Sequence, residues 1–142
     1  MECGKELQNE HISIFLTSTL SDMKDNMHIW LLDLAASAHI SGNIDLFQDI
    51  HDIPSISIET SSRSCFIACQ HGTIHITIQS APTGNLPDWP ITLCDVIYAL
   101  SLKANLLSAR SMMNANVQVV LDKNSSLLSM NNSLVTRGIK YK

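Results

Sequence analysis

One carboxylate stands where an apolar strand would end. Residues 29–32 are apolar, Asp33 follows them directly, and the small residues of "LAAS" come next. A charge at the end of a buried strand is costly unless it is paired, hydrogen-bonded or used in chemistry. Such a carboxylate can transfer protons in catalysis, and it can equally cap the turn that ends the strand. The pattern alone leaves both interpretations open.

The cysteines and histidines give a weaker chemical signal. Cys65 and Cys69 lie near His71, but no second close pair completes the four ligands that a structural zinc site requires. We therefore expect no metal and no cofactor, and we interpret the cysteines as buried residues that pack as small hydrophobes. We expect His39 to be a turn or surface histidine, and Asp95 to cap or pair within the fold.

Composition excludes several classes of function. Hydrophobic residues make up 45% of the 142 residues and charged residues 15%, which is typical of one globular domain with a core. The formal net charge is −4 and no block of basic residues occurs, so we expect no nucleic-acid partner. No apolar run reaches the roughly 20 residues that span a bilayer, so we expect no membrane partner. Without a convincing signal peptide, the chain is expected to be intracellular, in the cytoplasm, where disulfides are rare.

Short strands must position Asp33. The segments "SISIE" and "TIHITI" alternate apolar and polar residues, which is the strand period. Further strands are predicted in "ITLCDVIY", "VQVVLD", "SLLSM" and "SLVTRG", and "HISIFLTSTL" is predicted to be a short helix or an added strand. The run "LSARSMMNA" at 107–115 predicts the single helix, with Ser108 as its N-cap. Many short strands and one helix, without βαβ alternation, favour an all-β barrel or sandwich.

Two blocks of sequence occur in a characteristic order. The first, "WLLDLAASAHISGNIDLF", has Trp30, Leu32, Asp33, Ala36, Ser37 and His39 in the pattern W-x-L-D-S-G-A-S-x-H. The second, "LCDVIYALSLKANLLSARSMMNANVQVVLD", follows L-x-D-V-L-Y-x-P, then N-L-L-S and a helix, and Gly72-Thr73 stands between the blocks. In this order they resemble the protease region of copia-type LTR retrotransposon Pol polyproteins.

That resemblance implies a fold and a reaction. The fold would be a small closed or nearly closed β barrel of retropepsin type with one short helix over 28–138, with a polar N-terminal extension at 1–27 and a tail at 139–142. The protein would act as a homodimer on a polypeptide substrate, with Asp33 of each subunit in one shared site. Two adjacent carboxylates share one proton. The ionised one takes a proton from the attacking water, and the protonated one donates to the scissile carbonyl oxygen.

The active-site loop departs from the family pattern. Asp-Ser/Thr-Gly becomes Asp33-Leu34-Ala35, and Ala36 and Ser37 complete the loop. Leu34 lacks the hydroxyl that would hydrogen-bond across the dimer axis, and Ala35 adds a Cβ where glycine would turn tightly. Gln70 replaces the first glycine of G-x-G-T, and Leu100 replaces the proline of the second block. We therefore expect a truncated and catalytically impaired aspartic endopeptidase domain of a copia-type polyprotein.

Two other interpretations remain open. One is a non-catalytic, domesticated β-barrel module that dimerises or binds a peptide partner. The other is an unrelated small β protein in which the motif matches arise by chance.

Overall fold

Strands make up most of the structure, a computed structural model that describes residues 10–14, 30–60, 65–78, 89–102, 105–121, 125–130 and 133–139. The ten strands are β1 (Glu10–Ile14), β2 (Trp30–Asp33), β3 (Ile40–Ser41), β4 (Phe47–Thr60), β5 (Cys65–Ile78), β6 (Trp89–Tyr98), β7 (Asn105–Ser108), β8 (Val117–Leu121), β9 (Ser125–Met130) and β10 (Ser133–Ile139). One α-helix, α1 (Ala109–Asn114), follows β7, and a short 3-10 helix (Ile44–Leu46) precedes β4.

The strands form two sheets. The larger has seven strands in the order β1-β4-β5-β6-β3-β7-β2, and the smaller has three in the order β10-β9-β8. The pairs β4–β5, β5–β6 and β3–β7 are antiparallel, whereas β1–β4, β3–β6 and β2–β7 are parallel. Within the described strands neither sheet closes on itself. The predicted all-β class with one short α-helix is confirmed.

Alternation of side chains places each strand against the core. In β5, Ile74 is buried while His75 and Thr77 are exposed, as "TIHITI" predicted.

Pro54 lies where the β4–β5 register shifts between Asp52 and Ile56, which suits a residue that cannot donate a ladder hydrogen bond. Segment 10–14 forms the added strand rather than the short helix, and it pairs with β4.

Two hydrophobic clusters fill the interior, and β7 contributes to both. The first cluster contains Ala36, Ile40, Ile58, Ala68, Ile97, Ala99, Leu102 and Leu106. The second contains Ile74, Leu93, Val96, Leu107, Met112, Val117 and Leu128. Leu106 and Leu107 enter different clusters because successive side chains of a strand point to opposite faces. The strand β7 is therefore fixed from both sides, and it holds the start of α1 in place.

The helix begins and ends with residues suited to its caps. The Ser108 hydroxyl accepts a hydrogen bond from Ser111 N–H, as expected of an N-cap. Asn116 has a φ of 66°, in the left-handed region that commonly follows a helix C-terminus. The predicted helix and its cap are confirmed. Met112 packs in the core, whereas Met113 is exposed because it lies on the outer side of this short helix.

The cysteines differ from the expectation of buried, reduced residues. Cys65 and Cys94 are free and exposed, and Cys69 is half-buried and disulfide-bonded. Cys65 begins β5, and Cys94 lies where the β5–β6 register shifts, so neither faces the core. Cys3 lies outside the described residues.

No helix in the described ranges is long and apolar enough to cross a membrane. The division into an extension at 1–27, a domain at 28–138 and a tail at 139–142 stays a prediction.

Candidate functional site

Strand β2 carries Asp33 to the point where α1 begins. Strand β2 pairs in parallel with β7, and Asp33 lies opposite Ser108, the helix N-cap. Trp30, Leu31 and Leu32 are half-buried rather than buried, and Asp33 is the most buried residue of the strand, with 8% of its surface exposed. The predicted position of Asp33, at a strand end beside "NLLS", agrees with the structure.

One oxygen of the Asp33 carboxylate caps the turn that follows the strand. Asp33 Oδ1 accepts hydrogen bonds from the backbone N–H of Ala35 at 2.9 Å and of Ala36 at 3.2 Å. This is the local bonding by which aspartate stabilises a turn. Among the described residues other than glycine, positive φ angles occur at Asp95 and Asn116. Ala35 therefore has no left-handed backbone, and the expected conflict at this position does not arise.

The other oxygen is sealed inside the protein. Asp33 Oδ2 is buried and has no hydrogen-bond partner among the described residues. Burial raises the pKa of Asp33, while the Ala35 and Ala36 amides act against that rise. Loss of solvation therefore outweighs the two amide hydrogen bonds and favours the protonated carboxyl relative to an exposed aspartate.

The loop residues predicted beside Asp33 lie in one turn but face different ways. Leu34 is 58% exposed, which leaves its apolar side chain in solvent. Ala35 is half-buried, Ala36 is in the first hydrophobic cluster, and Ser37 is exposed. The turn is thus anchored through Asp33 and Ala36 and presents Leu34 outward.

His39 is a buried structural residue, so the expectation of a turn or surface histidine is wrong. Its Nδ1 accepts a hydrogen bond from the Ser108 backbone N–H at 2.9 Å, and its carbonyl oxygen accepts one from Ile97 N–H. Burial lowers the pKa of His39 to about 4. The imidazole is therefore neutral near pH 7, with its proton on Nε2 because Nδ1 is an acceptor.

Ser108 ties the loop to the helix, a role that the sequence did not reveal beyond its N-cap position. The Ser108 hydroxyl donates to the Ala36 carbonyl oxygen at 2.7 Å and accepts from Ser111 N–H at 3.0 Å. With the bond from Ser108 N–H to His39, one residue holds both ends of the segment 36–39. The sequence signal for Ser108 was its place at the start of the helical run, but its two loop partners precede it by about 70 positions.

Asp95 pairs within the fold, as predicted. Its carboxylate Oδ1 lies 3.6 Å from His71 Nδ1, and its φ of 56° falls at the register shift between β5 and β6. Its side chain is 83% exposed, so the pair contributes little to stability. In the part of the chain that the structure describes, no group of three or more histidine, cysteine or acidic residues could hold a metal ion.

A cleft of about 610 Å³ lies beside this loop. It is lined by Ser37, Ala38, His39, Pro90, Ile91, Thr92, Leu93, Cys94, Asp95, Ser111, Met112, Ala115, Val117 and Met130. Asp33 is not among the residues that line this cleft.

The range that holds this arrangement matches a known family. A family model described as "Pol polyprotein, beta-barrel domain" matches residues 30–117, more than half of the chain. The chain belongs to this family. No curated protein and no solved structure matches the chain. The match to the Pol polyprotein β-barrel domain spans Asp33, His39, Ser108 and α1. The predicted resemblance to a Pol polyprotein region is therefore confirmed.

Proposed function

We propose that this Pol β-barrel domain is a copia-type, retropepsin-like aspartic endopeptidase domain whose catalysis is impaired. The observation that carries the proposal is the state of the Asp33 carboxylate. It ends a strand beside the helix cap, but Oδ1 is bound to two amides and Oδ2 is buried without a partner among the described residues. A general acid or base must reach the proton that it transfers. In this conformation the buried Oδ2 does not reach a water or a peptide carbonyl, and Oδ1 is engaged with the two amides.

The chemistry would require a second copy of the chain. Two Asp33 carboxyls brought together would share one proton, and the raised pKa of Asp33 suits the protonated member of such a pair. The ionised member would take a proton from water, and the other would protonate the scissile carbonyl oxygen. Both steps need the turn to release Oδ2 from its buried position.

The exposed Leu34 side chain favours both parts of the proposal, a dimer and impaired catalysis. Its exposed side chain stands next to Asp33, where an apolar contact between two copies would exclude water. A leucine side chain cannot form the hydrogen bond that a serine or threonine would make across a dimer axis. A dimer held in this way would bring the two turns together less precisely than a hydrogen-bonded one. Small errors in position are costly in catalysis, on the order of 100-fold for about 1 Å.

A second candidate function is a non-catalytic module that dimerises or binds a peptide partner. The observation that favours it is the turn itself, because the two amide hydrogen bonds to Asp33 account for this residue without any catalytic role. The cleft, which Asp33 does not line, gives such a module a separate place to bind.

Cleavage by the unmodified chain tests the impairment. We expect the wild-type chain, incubated with an unbiased peptide library at mildly acidic pH, to cleave no more than Asp33→Asn does. Sedimentation of the same samples reports whether a dimer is present. Strong wild-type cleavage that Asp33→Asn abolishes would contradict the proposed impairment, since it would show that the carboxylate reaches its substrate.

A further inference from the structure

Among the described strands, one edge of β6 is open along residues 90–95. The strand pairs with β5 along its length, from Trp89 to Ile97. On its other side β3 pairs with Ile97 and Tyr98 alone, so no described strand pairs with residues 90–95 on that side. The backbone groups along such an edge are a template for another strand.

The cleft of about 610 Å³ runs along this edge. Six consecutive residues of β6, from Pro90 to Asp95, line it. Since side chains of a strand alternate between two faces, a cleft over one face would be lined by every second residue. The unbroken run of lining residues indicates that the cleft meets the edge of β6 itself. The five residues from Pro90 to Cys94 span about 17 Å, which is enough for a short peptide.

His39 is a buried hydrogen-bond donor in the lining of the cleft. It lines the cleft, and 8% of its surface is exposed. Because Nδ1 accepts from Ser108 N–H, the proton of the neutral ring is on Nε2. Among the described residues, the one buried side-chain N or O atom without a partner is Asp33 Oδ2, so Nε2–H is not sealed inside the core. It is placed to donate to a carbonyl oxygen in the cleft.

The remaining walls favour a particular kind of peptide. Ile91 and Met130 are half-buried residues that line the cleft and offer it apolar surface. Among the described residues that line it, Asp95 is the one with a charged side chain, and its carboxylate is largely exposed. A ligand with an apolar side chain and a lysine or arginine would match both features.

We propose that this cleft binds an extended peptide that pairs with the open edge of β6, accepts a hydrogen bond from His39 Nε2 and carries a basic residue towards Asp95. The short strand β3 already occupies the same side of β6 at its far end, where Ile97 N–H donates to the His39 carbonyl oxygen. The peptide would continue that line of pairing beside residues 90–95. Recognition of this kind takes affinity from the main chain and specificity from side-chain pockets. The site does not use Asp33, so it is independent of the proposed endopeptidase activity.

Binding is tested first with an immobilised random-peptide array and the wild-type chain. The tightest-binding peptide is then synthesised and titrated against the chain in solution. We expect the selected peptides to be rich in lysine or arginine. Hydrogen exchange of the wild-type complex should show new protection of backbone amides within residues 91–95, a readout that needs no variant. Absence of binding, or protection confined to other strands, would overturn the proposal.

Two substitutions on one helix end provide the matched variants. Ala115→Phe puts a large side chain into the cleft and should weaken binding at least about tenfold. Asn114→Phe adds a similar side chain at the preceding exposed residue, which does not line the cleft, and should leave the affinity unchanged. Equal affinities of the two variants would overturn the proposal. Binding is scored without cleavage, so its failure and a failure of the endopeptidase proposal are separate results.

Discussion

At the scale of single residues, Asp33 and His39 show how burial decides what a titratable group can do. Both are more than nine-tenths buried, and each uses one polar atom to hold backbone N–H groups. For both, burial favours the neutral form over the charged one. A carboxylate and an imidazole on one short segment would suggest acid–base chemistry. These contacts show instead that both side chains stabilise the backbone around them.

The turn-capping role of Asp33 predicts a difference between two substitutions. Asp33→Asn keeps a side-chain oxygen that can accept from the Ala35 and Ala36 amides, whereas Asp33→Ala removes it. Both remove the charge, so desolvation of the carboxylate does not enter the comparison. We expect Asp33→Asn to have the larger free energy of unfolding by no more than about 1 kcal/mol, because its Nδ2 group takes the buried place of Oδ2 without a partner among the described residues and offsets part of the gain. Chemical denaturation at pH 7 measures this, and equal stabilities would show that the two amide bonds do not hold the turn.

The lowered pKa of His39 predicts that acid destabilises the fold. The imidazole is neutral in the folded state down to about pH 4, whereas in the unfolded chain it takes up a proton near 6.5. The stability due to His39 is therefore fully present above pH 6.5 and is lost as the pH falls towards 4. The shift corresponds to a loss of about 3 kcal/mol in the free energy of unfolding.

Two histidine variants separate this effect from other titrations. In His39→Asn the pH dependence between 6.5 and 4 should become much weaker, because the titrating group is gone. His75→Asn, at an exposed position of β5, should retain it. If urea denaturation gave the same pH dependence for the wild-type chain and His39→Asn, buried His39 would not be its cause.

At the scale of elements, β7 and α1 act as the support for the Asp33 loop. Ser108 joins them, since it ends β7, caps α1 and binds both Ala36 and His39. The sequence predicted the helix, its cap and most strands because those depend on local alternation and local capping. It could not predict the sheet order or the burial of His39, because both depend on contacts such as that of His39 with Ser108, 69 positions apart.

Substitution of Ser108, the helix N-cap, should lower the free energy of unfolding more than substitution of Ser111 in the same helix. Ser108→Ala removes a buried donor to the Ala36 carbonyl oxygen and the cap acceptor for Ser111 N–H. We expect it to lower the free energy of unfolding by about 1–3 kcal/mol. Ser111→Ala removes an exposed 3.4 Å hydrogen bond to the Ser37 carbonyl oxygen and should cost less than about 0.5 kcal/mol. Thermal and urea denaturation compare the two variants. Equal losses in the free energy of unfolding would show that the Ser108 hydrogen bonds stabilise the fold no more than the exposed bond of Ser111.

At the scale of the whole molecule, the two sheets and one α-helix give the all-β architecture expected from the sequence. Family membership agrees with that expectation, since the matching model describes a Pol polyprotein β-barrel domain. Charge and composition could indicate a globular domain but not its surfaces. The exposure of Leu34 and the open edge of β6 depend on how the strands assemble, so they could not be predicted from local pattern.

The proposed dimer predicts that Leu34 is sensitive to charge. Leu34→Asp would place two carboxylates at an apolar contact between copies, so it should weaken dimerisation at least tenfold. Leu100→Asp, at another leucine that is 77% exposed, should leave dimerisation unchanged and serves as the matched control. Analytical ultracentrifugation over a concentration series measures both. A wild-type monomer, or equal effects of the two substitutions, would contradict a contact through the Asp33 loop.

Restoration of the loop is the sharpest test of an aspartic endopeptidase origin, because it replaces the two residues, Leu34 and Ala35, at which the loop departs from the family pattern. The measurement is cleavage of an unbiased peptide library at mildly acidic pH by Leu34→Ser with Ala35→Gly, alongside the wild-type chain and a dimerisation assay. We expect measurable cleavage by the doubly substituted chain, little or none by the wild-type chain, and loss of the recovered cleavage when Asp33→Asn is added. A doubly substituted chain that dimerises but cleaves nothing would contradict the proposed endopeptidase origin of the site and favour the non-catalytic module.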